Sequence, residues 1–229
     1  LLPQLDLTQD QVVVVDNGSA DLSVAYLSER VPRLARGRGV RLLARPTNGG
    51  FAAGMNFGIQ ESPAEAHLLL NSDTVLRPGA VEALRKALHE PEVGVVGPRL
   101  EDERGRPQVS CFRFPSPAGE LLLAARTGPL SKALGRWEVP FPVYEQPARP
   151  DWVSFAAVLI RDEALEQLRG LDERFFMYYE DVDFCRRAQQ LGWRVRYEPR
   201  ARVVHQGGGS SRQSESQRER LRRCLDRSR

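Results

Sequence analysis

Cysteine is scarce in this 229-residue chain: Cys111, Cys185 and Cys224 are scattered and odd in number. That argues against both a disulfide framework and a cysteine-based metal cluster. Long apolar runs are missing as well. "VSFAAVLI" is among the longest and falls far short of the ~20 residues a bilayer-crossing helix needs. The N-terminus has no basic-then-apolar signal pattern, so a cytoplasmic protein is expected. No Gly-x-Gly-x-x-Gly follows the first strand-like run, which leaves a dinucleotide Rossmann site unsupported.

Net charge is small, +3, and most of it sits at the end of the chain. From Ser210 onward seven arginines meet three acids, which gives the tail +4 and leaves the preceding residues at −1. The tail "SSRQSESQRERLRRCLDRSR" reads most simply as a solvated helix; the alternative is peripheral contact with anionic lipid at the inner face of the membrane. Nucleic acid is not an expected partner.

What is present is a series of apolar strands ending in polar turns. "QVVVVDNGSADLS" is a continuous β-branched run closing at Asp16, Asn17, Gly18 and Ser19, the pattern of a strand buried on both faces. Ligands of open α/β sheets bind at the carboxyl ends of strands, which places Asp16 where a ligand would lie. "TNGGFAAGMNFGIQES" brings glycines 49, 50, 54 and 58 to the start of a helix, letting backbone approach a ligand or a neighbouring strand. "HLLLNSDTVLRPGAVEALRKAL" gives another buried strand and the turn Asn71-Ser72-Asp73. A helix follows from Pro78, with apolar residues at 81, 84 and 88. "VGVVGPRL" predicts a further strand.

Residues 101–150 hold eight of the sixteen prolines and read as an irregular insert or flap. Order returns with "DWVSFAAVLIRDEALEQLRGLDERFF", a buried strand, a helix and a capped turn. "FFMYYEDVDFCRR" then places Glu180, Asp181 and Asp183 behind a run of aromatics. Apolar residues at 184, 188 and 191 have helical spacing, which sets the acids at a helix N-terminus. One acid would satisfy the free N–H groups and the dipole there. Three suggest chemistry, since paired carboxylates serve where one takes a proton and another positions a hydroxyl. "WRVRYEPRARVVHQGGGSS" alternates like an exposed edge strand and ends at His205, which with a carboxylate can hold a divalent cation.

In order and spacing, "VVVVDNGSAD", "TNGGFAAGMN", "LLLNSDTVLRPGAV", "WVSFAAVLIRDEAL", "GLDERFFMYYEDVDFCRRAQQLGW" and "VVHQGGGSS" resemble the successive signatures of family 2 inverting glycosyltransferases, especially the rhamnosyltransferase-like branch. The resemblance covers roughly residues 10–212. It implies an α/β glycosyltransferase A-type fold with a Rossmann-like, mostly parallel sheet flanked by helices. Residues 1–100 would form the nucleotide-sugar-binding half, 101–209 the acceptor-binding and catalytic half, and 210–229 a basic tail. Asp16 would contact the base of the sugar nucleotide, with Asn48, Gly49 and Gly54 in the loop beside ribose and diphosphate. Asn71-Ser72-Asp73 takes the Asp-x-Asp place, where Asn71 would contact ribose or the metal's water shell. Asp73 would hold Mn²⁺ or Mg²⁺ against the diphosphate, and His205 would complete the metal site. Glu180 and Asp181 would be the acid pair near the acceptor, with Asp181 the general base.

The implied activity is transfer of a sugar, rhamnose first among candidates, from a dTDP- or UDP-sugar to a saccharide or lipid-linked saccharide acceptor in cell-surface polysaccharide assembly. Two departures stand out. Phe155 occupies a place where relatives carry glycine, and "LLPQLDLTQDQ" looks like the end of a helix that would follow a first strand, so truncation at both ends is expected. A non-catalytic sugar-nucleotide-binding or scaffold protein remains an alternative on those grounds. A nucleotidyltransferase remains another, although it should show a basic, glycine-rich triphosphate loop. A haloacid-dehalogenase-like phosphatase is disfavoured because Gly18 stands where its second Asp should be. "QQLGW" lacks the arginine of Gln-x-x-Arg-Trp, which argues against a processive synthase.

Overall fold

Val12–Asp16 form β1, an extended run favoured by four β-branched valines, and it pairs in parallel with β2 (Val40–Ala44) in a register that sets Val12 beside Val40 and Asp16 beside Ala44. The computed structural model describes residues 1–37, 39–114 and 145–206. The basic tail and most of the proline-rich insert, residues 115–144, lie outside the described residues. Among those described, no helix is long and apolar enough to cross a membrane.

The described chain divides into two compact units. Unit 1 comprises Leu1–His67 and Asp162–Phe184. It holds β1, α1 (Ser23–Arg30), β2, α2 (Phe51–Gln60), α4 (Asp162–Leu168) and the first turn of α5 (Glu180–Gln190). α2 lies against β1, and Ala52, Ala53, Gly54, Asn56 and Gly58 are its buried residues. Small side chains on that face permit the approach. A Cβ at Gly58 would come within 3.0 Å of the Val15 side chain.

Unit 2 comprises Leu68–Arg161 and Cys185–Gln206. Its sheet runs in the order β3 (Ala66–Leu70), β9 (Ala157–Arg161), β5 (Val93–Glu101), β10 (Arg194–His205) and β4 (Thr74–Leu76), with β6 (Pro107–Gln108) beside β5. β5 and β10 are parallel, while β9 and β4 join antiparallel. α3 (Ala80–Leu88) packs on β5 and β10 and buries Val81, Leu84 and Leu88, the three positions its periodicity marks. A small antiparallel pair of β7 (Cys111–Phe112) and β8 (Trp152–Val153) stacks the Phe112 and Trp152 rings 4.1 Å apart.

β1, expected to be buried on both faces, is partly exposed along Val12–Val15 because β2 is its one partner strand among the described residues. Two further expectations are corrected. β10 is not an exposed edge but lies between β5 and β4, and its alternating arginines are matched by acids from the strands and turns around it. Arg194 meets Glu92, Arg196 meets Glu90, Arg200 pairs with Glu198 at 2.8 Å and Arg202 with Glu101 at 2.6 Å. Both Glu101 and Glu198 are wholly buried and neutralise these arginines, while Arg194, Arg200 and Arg202 remain exposed and alternate with the buried Val195, Ala201 and Val203, so the polar pattern marks one solvent-facing side of an internal strand. The last correction concerns Leu191, which follows α5 in a turn and is exposed; of the three positions with helical spacing, Phe184 and Ala188 are the buried ones.

Candidate functional site

In unit 1 the ends of β1 and β2 present a hydrogen-bonded loop cluster. Asp16, the last residue of β1, is buried and accepts a 3.0 Å bond from the Ser19 N–H on Oδ2, while its carbonyl accepts from the Arg45 N–H. Asn17 follows and holds three neighbours. Its Nδ2 donates to the Gly50 carbonyl at 2.7 Å and to Asn48 Oδ1 at 3.2 Å, and its Oδ1 accepts from Arg45 Nη1 at 3.1 Å. Asn48 Oδ1 also receives the Gly50 N–H at 2.9 Å.

The glycines make this packing feasible. Gly18 has φ +75°, and a Cβ there would stand 2.5 Å from the Asn48 nitrogen. Only glycine tolerates that backbone and that proximity together. Gly54 faces Asn17, whose Cγ would lie 3.2 Å from an added Cβ, and Gly49 faces Arg45. The structure therefore gathers Asp16, Asn48, Gly49 and Gly54 in one cluster and adds Asn17 and Arg45. Asn17 sits one residue beyond the acid marked in the sequence, but nothing in its local pattern reveals a bridge across to Asn48.

The acid trio also belongs to unit 1. Glu180, Asp181 and Asp183 occupy the first turn of α5, whose start follows two residues of unusual backbone: Tyr178 at φ 69° and Tyr179 at φ 71°. Left-handed φ in consecutive aromatic residues is a strained arrangement that surrounding structure must hold. Both tyrosines are nonetheless exposed residues. Glu180 is 6% exposed, and its Oε2 has no hydrogen-bond partner among the described residues. Burial, reinforced by the neighbouring Asp181 charge, pushes its carboxyl up to about 7. Asp181 is only half-buried and accepts the Val182 N–H at 2.9 Å.

Unit 2 carries the other predicted residues. Thr74 on β4 pairs with His205 at the end of β10, and this brings Asp73 Oδ1 within 3.4 Å of His205 Nε2. Each side chain is about one-fifth exposed. Two ligands of an octahedral cation at about 2.1 Å would stand roughly 3 Å apart, close to this spacing. The Asp73 carboxylate suits a hard cation such as Mn²⁺ or Mg²⁺, and the His205 imidazole is a ligand common to divalent transition metals. No group of three His, Cys, Asp or Glu side chains is placed for a metal among the described residues, so a cation held by this pair would need its remaining ligands from substrate or water. Asn71, in the same turn, donates its N–H to the Ala156 carbonyl, and its own carbonyl accepts the Thr74 hydroxyl at 2.6 Å. Phe155 is 2% exposed and belongs to the core of unit 2.

Comparison with known proteins supplies the chemical context. The model of the family described as Glycosyl transferase family 2 matches residues 1–113. A relative in Mycobacterium tuberculosis (strain ATCC 25618 / H37Rv), N-acetylglucosaminyl-diphospho-decaprenol L-rhamnosyltransferase, is 31% identical over 211 residues, covering 85% of this chain. The chain spans 66% of that relative's length. Among solved structures, GalNAc-T7 with UDP, GalNAc and Mn²⁺ superposes with TM-score 0.63 at 14% identity, over 85% of this chain and 37% of that one. The mannosyltransferase PcManGT from Pyrobaculum calidifontis, in complex with GDP-Man and Mn²⁺, gives TM-score 0.60 at 16% identity over 93% and 51%. At such identities the likeness shows the fold, a glycosyltransferase A-type α/β architecture.

Proposed function

The chain belongs to glycosyl transferase family 2, and from that premise we propose that it moves a sugar from a nucleotide diphosphate donor to a saccharide hydroxyl, with inversion and with Asp181 as general base. One observation carries the reading: the segment that leads into α5, with its Glu180 and Asp181, is joined by a backbone hydrogen bond to the start of α2, directly after the loop that bears Asn48 and Gly50. The Phe51 N–H, one residue past that loop, donates to the Phe176 carbonyl at 2.9 Å, four residues before Glu180.

In the proposed displacement the acceptor oxygen attacks the anomeric carbon while the bond from that carbon to the diphosphate oxygen breaks. The hydroxyl proton passes to the Asp181 carboxylate, which is accessible and already oriented by the Val182 N–H. No covalent intermediate is required. Asp16 and Asn48 would bind the nucleoside end, and Asn71 would contact ribose. Asp73 and His205 are the side chains that would hold Mn²⁺ or Mg²⁺, whose charge would favour departure of the diphosphate. Glu180, whose carboxyl is pushed up to about 7, would retain its proton below that pH and there keep a second negative charge away from Asp181.

The rhamnosyltransferase relative favours dTDP-rhamnose as the first donor to test and a lipid-linked saccharide as acceptor class. Calorimetric titration of UDP and dTDP, with Mn²⁺ and with EDTA, tests the donor site. Binding is expected with metal, weakened at least tenfold by EDTA and by Asp73→Ala. Equal affinity in all these conditions would remove Asp73 from the metal role. Absence of nucleotide binding by the folded protein would defeat the reading.

A further inference from the structure

Asn56 is the buried polar residue of α2, 7% exposed, and its whole amide is engaged with a segment more than a hundred residues away. Nδ2 donates to the Leu171 carbonyl at 2.8 Å and to Glu173 Oε1 at 2.9 Å, while Oδ1 accepts the Leu171 N–H at 2.9 Å. An aspartate would lack both donors, and an apolar residue would leave the Leu171 N–H and carbonyl unpaired. Gly170 completes the fit: it adopts φ +77°, and a Cβ there would lie 2.6 Å from Asn56 Oδ1.

A second clasp lies farther along the same segment. The Phe51 N–H, at the start of α2, donates to the Phe176 carbonyl, and Gly50 approaches that carbonyl so closely that any Cβ would collide with it. Beyond the two clasps the chain enters the left-handed Tyr178 and Tyr179, and the Tyr179 carbonyl accepts the Asp183 N–H at 2.9 Å as α5 begins. Strain of this kind relaxes unless both flanks are fixed. α5 fixes one flank and α2 fixes the other.

We propose that Asn56 is a positioning residue: by clamping Leu171–Glu173 to α2 it holds the strained tyrosine segment in place, and so fixes the Asp181 and Glu180 carboxylates relative to the donor loop that α2 follows. This rests on the glycosyltransferase reading above. It extends that reading by making α2 the shared support of the nucleotide loop and the acids. Asn56 acts through Leu171 and Glu173 and touches no substrate.

The test is Asn56→Ala, assayed for release of dTDP from dTDP-rhamnose and of UDP from UDP-N-acetylglucosamine, beside calorimetric affinity for UDP and dTDP. A displacement of about 1 Å in a catalytic group costs on the order of 100-fold in rate. The expected result is a kcat lowered by ~10- to 100-fold with nucleotide affinity within about twofold of wild type. Asn56→Asp should be as impaired as alanine. Combining it with Glu173→Gln should recover part of kcat, because the amide introduced at position 173 can donate back to the carboxylate introduced at position 56. Should Asn56→Ala fail to fold, Gly170→Ala strains the same clamp with Asn56 intact and should give the same split. A kcat within twofold of wild type, or parallel loss of kcat, affinity and melting temperature, overturns the proposal.

Hydrogen exchange separates this from failure of the functional reading. If wild type releases no nucleotide from either sugar nucleotide, amides 171–183 should still exchange at least tenfold faster in Asn56→Ala while β5 stays protected. Unchanged protection of that segment overturns the clamp whatever the activity.

Discussion

β1 of unit 1 and β5 of unit 2 are built from similar sequences, "VVVVD" and "VGVVGPRLE", yet they are buried very differently. Val12–Val15 are all partly exposed, whereas Val95 and Val96 are wholly buried. The cause is the neighbourhood rather than the composition. β1 pairs with β2 alone among the described residues, while β5 has β9 on one side and β10 on the other, with α3 across its face. α1 in unit 1 contributes no buried residue at all. Loop geometry in unit 1 therefore depends on specific hydrogen bonds from Asn17, Asn48 and Asn56, whereas Asp73 and His205 inherit their spacing from paired strands of a packed sheet. Hydrogen-bonded loops open locally more readily than core strands do.

The sharpest way to break the comparison is chemical. Asp181→Asn removes the base while leaving the size and fold of α5 unchanged, so transfer should fall by roughly two to four orders of magnitude with nucleotide affinity unaltered. Sugar-transfer kinetics beside UDP titration would read both. A loss smaller than tenfold would move the base to another acid and weaken the assignment of chemistry to unit 1.

Stability provides the next contrast. Leu84 on α3 is wholly buried in unit 2, and Leu84→Ala should cost about 2–5 kcal/mol in denaturant unfolding. Leu42 on β2 is only half-buried, and Leu42→Ala should cost about 1 kcal/mol, in proportion to the smaller apolar area removed from water. Equal losses would mean that unit 1 has a tighter core than its exposure implies.

Sequence reading located much of this because the signals were local. The spacing of 81, 84 and 88 marked the buried face of α3, and the acids at 180, 181 and 183 were placed at the start of a helix by Phe184 and Ala188. Strand ends at Asp16 and Asn71 were visible as apolar runs stopping at polar turns. What escaped was non-local or context-made. The Asn56 clamp joins residues 115 apart, and no periodicity announces it. Tyr178 and Tyr179 adopt backbone angles that their residue type disfavours, so no propensity argument would assign them. β10 looked like an edge because its arginines alternate, and only the fold reveals the carboxylates of Glu101 and Glu198 that neutralise them from within.

The gentlest perturbation concerns Glu180, whose buried carboxyl links the weakly packed unit to pH. Burial and Asp181 raise it from an ordinary 4.5 to about 7. The folded protein therefore keeps a proton that the unfolded chain has already lost between those values. Its contribution to stability is fully present below about pH 4.5, is lost as pH rises through 7, and stays lost above. The penalty at pH 8 is on the order of 2–3 kcal/mol, since each tenfold change in proton affinity is worth about 1.4 kcal/mol and partial solvation reduces the total. Glu180→Gln keeps the shape without the charge and should raise the melting temperature at pH 8 while leaving it almost unchanged near pH 4.5. An equal gain at both pH values would trace the effect to packing. No gain at pH 8 would mean that water or a cation reaches Glu180 Oε2, making the first turn of α5 as open as the strand pair it accompanies.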